Sequence, residues 1–418
     1  MLAANSILTE SKLHNRTPFL YLGIAILLFA AAGGWVWVNY QFTDRENGGN
    51  DFAVYWNSAR TVLYDNATPY GELASAKSQN TIFGIARRAG DPPSLLDLPF
   101  HIEVLIFPFA VINNYHLAWA LWLTFLEISI VGTVFLCFRF LHWKPNPVVG
   151  AGIILFSIFF VHGLWAVILG NAVILAGLLI AGVILALRQD QDELAGILLA
   201  LSTFKFLTIG IFLIFILLWA VIKRRKRLFF PFVMTLGLLI VLSFFFFSNW
   251  FLPYARAIFT NLKFGDWLTP AKLFKDELPN FGEKLGWIFS GLLAIVLFVE
   301  WWLAAKKDFV RMLWTAALTL AITPLLGLPT YPQNYIVLII PLIITLSIIS
   351  YRWRSSDKIV INGLLIILFV GIWGIAIYSS NAKSALFFPL PVSVICLLYW
   401  IRWWAVSSPR EQSDLSRI

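Results

Sequence analysis

The chain has 418 residues, of which 60% are hydrophobic and only 13% are charged. Soluble domains average about 45–50% apolar and about 25% charged residues, so this composition excludes a soluble globular protein and a disordered chain. An aromatic share of 16%, with 19 Trp, is typical of a protein that meets two membrane–water interfaces. The composition therefore predicts an all-α, polytopic membrane protein.

Apolar runs recur along the whole chain. The first, Phe19–Val38, is longer than the apolar core of a signal peptide, and we therefore predict a retained membrane helix. Further runs are predicted at 117–138, 148–161, 172–187, 194–204, 206–222, 228–247, 287–305, 309–326, 335–349, 359–378 and 386–404. Together they predict about twelve transmembrane helices in one integral membrane domain, 1–418. The runs 148–161, 194–204 and 335–349 are shorter than a usual span, and short helices of this kind tend to line a cavity.

Two long polar segments interrupt this pattern, 39–116 and 249–286. Loops longer than about 12–15 residues are usually functional or disordered. Both segments contain many aromatic and leucine side chains. We therefore predict two large outer loops that pack over the membrane and carry amphipathic helices.

The basic residues predict an orientation. The net charge is +9, but 19 of the 31 Lys and Arg fall in loops on one side if the spans alternate, the densest group being 223–227. Positive residues mark cytoplasmic loops, so both termini are predicted to be cytoplasmic. Membrane orientation then accounts for most of the excess of Lys and Arg. No nucleic-acid partner is predicted. Because Arg188 and the 223–227 cluster must lie on the same side, the stretch 194–222 must cross and return, with its turn near Thr203, Phe204 and Lys205.

A helix is predicted to begin at Asp51. Apolar residues recur at helical spacing from Phe52 to Leu63, after Gly48 and Gly49, which is typical of an amphipathic helix on a membrane surface. Asp51 can be explained as an N-cap, or as a general base held at the outer surface. The two roles conflict, because a capping carboxylate has a lowered pKa and is a weaker base. A catalytic Asp51 would leave the capping to a neighbour such as Asn50.

The segment Asp51-Phe52-Ala53-Val54-Tyr55, followed by Ala59-Arg60, Leu63 and Pro69-Tyr70, resembles glycosyltransferase family 87. Weaker similarities follow at Gly170-Asn171, Ala195-Gly196 with Lys205, Leu98-Pro99-Phe100-His101, and Asn334-Tyr335. Asn171 stands where the family usually has Gln, and no His precedes Tyr335. The resemblance runs from residue 19 to about 350. It implies a GT-C-like fold and a mannosyltransferase that uses a polyprenyl-phosphate-linked sugar.

The resemblance implies that Asp51 is the catalytic base. A lysine between two apolar runs is costly and usually functional, so Lys205 is the leading candidate to bind the donor phosphate, although a turn lysine that reaches outer water is an equal alternative. Arg60 could reach the same phosphate or be a solvated surface residue. The candidates for sugar or acceptor binding are Tyr55, His101, Asn171, Gln333, Asn334 and Tyr335.

No cofactor is predicted. A lipid-linked donor needs no nucleotide site, and the Asp190-x-Asp192 pair lies in a short cytoplasmic turn. Asp44 and Glu46 leave a metal possible but unsupported. The sequence therefore predicts transfer of a hexose, with inversion, to a lipid or glycan acceptor at the outer face of the plasma membrane, with membrane lipids as further partners. A transporter or flippase of lipid-linked sugars is the alternative, and a non-enzymatic scaffold is a third possibility.

Overall fold

The computed structural model describes residues 17–46, 48–84, 93–353 and 356–407. These residues are all-helical, with 81% in helices and no strand. In the first half, the helices are α1 (Thr17–Thr43), α2 (Asn50–Asp65), α3 (Glu72–Phe83), α4 (Phe100–Ala110), α5 (Tyr115–Phe140), α6 (Pro147–Phe159), α7 (Val161–Leu169), α8 (Val173–Arg188), α9 (Asp192–Leu201) and α10 (Phe206–Ile222). In the second half they are α11 (Lys226–Phe246), α12 (Phe251–Phe264), α13 (Pro270–Glu277), α14 (Gly282–Ala304), α15 (Phe309–Ile322), α16 (Ile339–Arg352), α17 (Asp357–Tyr378), α18 (Ala382–Ala385) and α19 (Pro389–Arg402). Short 3₁₀ segments cover Ser202–Lys205, Thr323–Leu325 and Pro332–Leu338.

The all-α prediction is confirmed, but the predicted twelve spans are not. Seven helical stretches within the described residues are long and apolar enough to cross a membrane, or eight if the bent pair α6–α7 counts as one span. The bend between α6 and α7 is 54°. Three apolar helical stretches in the described residues are shorter than a usual span, namely α4, α8 and 309–325. The predicted cytoplasmic cations at positions 12, 16, 354, 410 and 417 lie outside the described residues.

The stretch 192–222 is long and apolar enough to cross a membrane, yet it consists of α9, a 3₁₀ segment and α10 and folds back on itself. Arg225, which follows α10, forms an ion pair of 2.8 Å with Asp192 at the start of α9, so both ends of the run lie together. The chain therefore reverses at the 3₁₀ segment that ends in Lys205, where the sequence predicted a turn. Arg225 also pairs with Asp190, so the guanidinium group of Arg225 binds both carboxylates of the Asp190-x-Asp192 pair.

A second reversal lies beside the first. Helices α6 and α7 lead from Lys144 to Gly170 and Asn171, and α8 returns from there to Arg188. Asn171 and Lys205 thus lie at one end of the bundle, which we call the site end. Lys144, Arg188 and Arg225 lie at the other, which we call the basic end. Helix α5 joins them, and its 26 residues span about 39 Å at 1.5 Å per residue.

Burial separates a central layer of helices from a lipid-exposed rim. The stretch Pro332–Arg352 is 78% buried, whereas Lys226–Phe246 and Asp357–Tyr378 are each 17% buried. The exposed faces of these rim helices are apolar, with Met234, Phe245 and Ile367 pointing outward. Such faces are stable only against hydrocarbon, as expected of a membrane protein.

The two long loops form a helical cap over the site end. The Asn261 side chain of α12 donates to the Leu95 carbonyl oxygen at 3.0 Å, which links the second loop to the first. Leu268 and Thr330 form an isolated antiparallel bridge that fastens the second loop to the segment before α16. The domain bounds 39–116 and 249–286 remain predictions.

A buried ionic network fastens the rim at the basic end. Glu300 of α14 accepts from Arg311 of α15 and, at 3.0 Å, from Arg402 of α19. Both guanidinium groups also lie over the Trp314 ring, at 5.1 and 5.5 Å from its centroid. Charged groups inside an apolar bundle are costly unless paired, so this network fixes how three helices meet.

The Gly196 contact gives a direct test of how α9 packs against α11. A Cβ at this position would lie 2.3 Å from the Leu228 carbonyl oxygen of α11, which is backbone and cannot move aside. We expect Gly196→Val to destabilise the protein by about 1–3 kcal/mol, because overpacking forces the helices apart. Thermal unfolding in detergent measures this. Gly237→Val is the matched control, since a Cβ there meets nothing within 4 Å, and equal losses in both variants would contradict the packing described.

Candidate active site

The first turn of α2 begins at glycine rather than at a capping side chain. Gly49 precedes the helix with φ of 70°, and no side chain caps it. A Cβ at Gly49 would lie 2.7 Å from the Tyr115 hydroxyl and from the Trp119 ring, so only glycine fits. The N-cap role considered for Asp51 is therefore wrong, and Asn50 does not cap the helix either. Asp51 lies inside the first turn with its carboxylate free for another role.

A tight turn brings Asn171 to this carboxylate. Gly170 adopts φ of 74° and approaches Phe52 so closely that a Cβ would lie 2.6 Å from the Phe52 side chain. The Trp122 indole donates to the Gly170 carbonyl oxygen at 2.9 Å and stacks on Phe52. The Asn171 side chain hydrogen-bonds Asp51, and its own amide oxygen accepts from the Val173 N–H at 2.8 Å. Asn171 is thereby held in one orientation.

The turn of the α9–α10 hairpin places Lys205 near Asp51. Its side chain is 9% exposed, and its Nζ lies 2.7 Å from Oδ2 of Asp97 and 6.0 Å from the Tyr55 ring centroid. Lys205 is also the positive charge that acts on Asp51. The expectation that Lys205 and Asp51 lie on the same side of the membrane therefore agrees with the structure. Tyr55, one helical turn after Asp51, is 2% exposed and faces this group.

Asp97 is a site residue that sequence reasoning missed. It lies in the extended segment before α4, where a lone carboxylate stands between Leu96 and Leu98, both fully buried. The Tyr70 hydroxyl donates to the Leu98 carbonyl oxygen at 3.0 Å and holds this segment in place. An isolated charge among buried apolar residues was the available signal, and it is the same signal that identified Lys205.

The carboxylate of Asp51 is poised to exchange a proton near neutral pH. Burial is the largest effect and raises its pKa from 3.8 to about 6, with Asp97 acting in the same direction. The Lys205 charge and the Asn171 hydrogen bond oppose this rise. Asp51 is partly exposed as a residue, but its Oδ2 is buried and has no hydrogen-bond partner among the described residues. A carboxylate that has one unpartnered oxygen and a pKa near 6 is suited to accept a proton from a substrate hydroxyl.

Arg60 does not reach this group. It lies nine residues after Asp51 on α2, about 13 Å along the helix axis. Its guanidinium donates to the Ala110 carbonyl oxygen at 2.8 Å and lies over the Trp56 ring, 4.6 Å from the centroid. The structure therefore separates Arg60 from Lys205 and places it where it fastens α2 to the end of α4.

His101 lies on α4, four residues after Asp97, and among the described residues no hydrogen bond or charge interaction joins it to Asp51. Neither of its ring nitrogens has a hydrogen-bond partner among the described residues. Glu103, two residues later, is fully buried with both carboxylate oxygens unpartnered, and it acts electrostatically on Tyr55 and Tyr70. No arginine pairs with Glu103 within the described ranges. The cluster thus contains a third carboxyl group that the sequence left without a role.

The segment 333–335 lies near the site, but the residue that interacts with the site's charges is Tyr331, just before it. Tyr335 is 1% exposed and contacts His162, with ring centroids 5.2 Å apart, and Asn334 and Tyr335 line a cavity of about 10 Å³ that has room for about one water. Gln333 is half-buried in the same 3₁₀ segment. Burial and the negative charges of Asp51 and Asp97 raise the pKa of Tyr331 to about 12.

Comparison with known proteins points to sugar transfer. A sequence model of glycosyltransferase family 87 matches residues 99–274, which confirms the resemblance. The match includes His101, Asn171 and Lys205, while Asp51 precedes it and Tyr335 follows it. No curated protein sequence matches the chain. The match and the apolar helices together indicate a membrane glycosyltransferase, and they do not favour a transporter.

The raised pKa of Asp51 predicts that its charge destabilises the fold. Between about pH 4 and pH 6 the folded protein holds the Asp51 proton more tightly than the unfolded chain does, so stability falls as pH rises through this window and stays lower above it. We expect Asp51→Asn to raise the free energy of unfolding above pH 6 by up to about 3 kcal/mol, and to have no effect below about pH 4. Thermal unfolding in detergent at several pH values measures this.

Asp97→Asn is the matched control. It removes the partner of Lys205 and leaves a buried ammonium group less compensated, so it should lower the unfolding temperature at neutral pH. A lower unfolding temperature in Asp51→Asn at neutral pH would contradict the burial of an uncompensated carboxylate.

Proposed function

We propose that this membrane glycosyltransferase transfers a hexose from a polyprenyl-phosphate carrier to a hydroxyl group of a lipid or glycan acceptor. The observation that carries the proposal is the meeting of two groups at one end of an apolar bundle: the Asp51 carboxylate, whose Oδ2 is buried and has no hydrogen-bond partner among the described residues, and the buried Lys205. Transfer from a lipid phosphate requires a base for the acceptor hydroxyl and a cation for the leaving phosphate. Both groups lie at the ends of apolar helices, where a lipid-linked donor is proposed to approach them from the membrane.

The reaction is a direct displacement at the anomeric carbon. The acceptor oxygen forms a bond to that carbon while the bond to the phosphate oxygen breaks, which inverts the configuration. The hydroxyl proton passes to Asp51, and the electron pair of the broken bond leaves with the polyprenyl phosphate. Lys205 stabilises the charge that develops on this phosphate. Asn171 and Tyr55 hold the carboxylate and the lysine in place.

Asp97 explains how Lys205 remains stable before the donor arrives. A buried ammonium without a partner would be costly, and Asp97 compensates it at 2.7 Å. The Asp97 side chain is 43% exposed, so water can solvate it when Lys205 turns to a phosphate. Donor binding is then an exchange of one anionic partner for another, which costs less than uncovering a free charge.

The finer assignments follow the family resemblance and the charge pattern. Mannose is the proposed hexose, and the site end is proposed to face the outside of the plasma membrane because the cations gather at the basic end. Both termini are then cytoplasmic. The GT-C type, the absence of a resident cofactor and the sugar-contacting roles of His101, Gln333, Asn334 and Tyr335 belong to the same proposal.

Asp51→Asn is expected to reduce transfer by about 10²–10⁴-fold, because the amide cannot accept the hydroxyl proton. The assay follows labelled sugar from purified polyprenyl-phosphate mannose to a membrane lipid extract. For the wild-type protein, kcat/KM should rise with pH through a midpoint near 6, since only the ionised form of Asp51 acts as a base. Asp44→Asn, an exposed Asp-to-Asn change just after α1, is the control and should keep full activity. Equal transfer by wild type and Asp51→Asn would refute the role of Asp51.

Lys205→Gln is expected to raise KM for the lipid-linked donor and to lower kcat, because the phosphate loses its cation both in the ground state and as charge develops. Arg60→Gln serves as the comparison, since its guanidinium is already bound to α4. This second variant should lose stability with little change in the KM for donor. Kinetics with donor concentration as the variable separate the two. An effect on donor KM larger for Arg60→Gln than for Lys205→Gln would reverse the assignment of the phosphate site.

A further inference from the structure

A cavity of about 340 Å³ opens at the basic end, and the proposed reaction does not use it. Its walls come from the end of α5, the last residue of α8, the start of α15 and the end of α16. The other end of α5 reaches the active site, so about 35–40 Å separates the cavity from Asp51. The volume falls in the range of small-molecule sites, about 300–1,000 Å³.

Two cations face this cavity without a carboxylate partner. Arg188 ends α8, and its guanidinium lies over the Phe309 ring, 5.1 Å from the centroid. Lys144 is exposed in the turn between α5 and α6. Neither forms an ion pair within the part of the chain that the structure describes, although the nearby Arg225 pairs with two aspartates. The rim therefore presents uncompensated positive charge.

The one acidic side chain in the lining is already engaged. Asp357 accepts from the Ser350 hydroxyl at 2.9 Å and from the Lys358 N–H at 2.7 Å. The hydroxyl group of Ser347 donates to the Ile344 carbonyl oxygen at 2.8 Å. Asp357 keeps its negative charge, but it accepts from the Ser350 and Lys358 donors and the two cations outnumber it in the lining, which favours an anionic ligand.

The rest of the wall is apolar and selects a hydrocarbon chain. Leu141, Leu313, Ile344 and Ile348 line the cavity below the cations, with the Trp314 ring beside them. A free phosphate ion would gain nothing from these side chains, and burying it against them would cost solvation. An amphiphile with an anionic head and an apolar tail satisfies both parts of the cavity.

We propose that this cavity binds an anionic phospholipid, with its phosphate between Lys144 and Arg188 and an acyl chain against α15 and α16. Basic pockets between membrane helices bind acidic headgroups in this way. The site is distinct from the donor site because it lies at the opposite end of the bundle. Bound lipid would join α5, α8, α15 and α16, and it would therefore stabilise the helices that support the active site.

Lipid binding by the full-length protein in neutral detergent tests the proposal. Native mass spectrometry and thermal unfolding are measured with phosphatidylglycerol, with phosphatidylcholine of the same acyl chains, and with inorganic phosphate. Wild type should bind phosphatidylglycerol more tightly than phosphatidylcholine, and the acidic lipid should raise its unfolding temperature. Lys144→Gln combined with Arg188→Gln should weaken phosphatidylglycerol binding by about tenfold or more. Arg188→Lys should retain most of it.

Two further variants separate a lost site from a damaged fold. Lys226→Gln with Arg227→Gln removes two exposed cations from the same end of the bundle, outside the cavity lining, and should bind the acidic lipid like wild type. Ile348→Trp fills the cavity and keeps its charges, so it should also lose the lipid. Equal binding of the two lipids by wild type, equal losses in the two double-charge variants, full binding by Ile348→Trp, or stabilisation by inorganic phosphate alone would each overturn the proposal.

Discussion

A buried lysine ammonium group needs negative charge beside it, and this requirement organises the site end of the protein. Lys205 lies at the turn of a hairpin whose two helices are almost wholly apolar, so water alone cannot compensate it. Asp97 and Asp51 supply the charge from two different segments of the first long loop. Because one lysine faces two carboxylates, Asp97 can neutralise it while Asp51 keeps a raised pKa and a free oxygen. The catalytic role proposed for Asp51 depends on this unequal sharing and on the burial that raises its pKa.

Much of this arrangement could be predicted from the sequence. The cations at Arg188 and at 223–227 required the stretch between them to reverse, and the ion pair between Asp192 and Arg225 shows that it does. The apolar spacing after Asp51 predicted a helix there, and α2 begins one residue earlier than expected. These features were readable because charge in loops and apolar periodicity are local signals with a strong physical cause.

Other features depend on contacts that no local pattern contains. The capping of α2 by Gly49 depends on Tyr115 and Trp119, which lie more than sixty residues away. Asp97 entered the site only because the cap folds over the turn of the hairpin. Arg60 was predicted either to reach the phosphate or to be a solvated surface residue, but its guanidinium binds the end of α4. The count of twelve spans is not confirmed, since several helices are shorter than a membrane crossing requires.

The two ends of the bundle differ in the charge of their functional groups. In the buried cluster at the site end, Lys205 is outnumbered by the carboxyl groups of Asp51, Asp97 and Glu103, which suits the proposed reaction, in which a proton is taken up and a bound phosphate is released. At the basic end, cations exceed carboxylates, which suits anchorage to acidic lipid. Helix α5 spans both, with Tyr115 against the first turn of α2 and Leu141 after its last turn at the cavity.

A structure of the protein with bound polyprenyl phosphate would test the central claim most directly. The account predicts the phosphate within about 3–4 Å of Lys205 Nζ, in place of Asp97, with Asp51 facing the space where the anomeric carbon would lie. A polyprenyl phosphate bound only at the basic end, beside Lys144 and Arg188, with the Lys205–Asp97 pair intact, would contradict it.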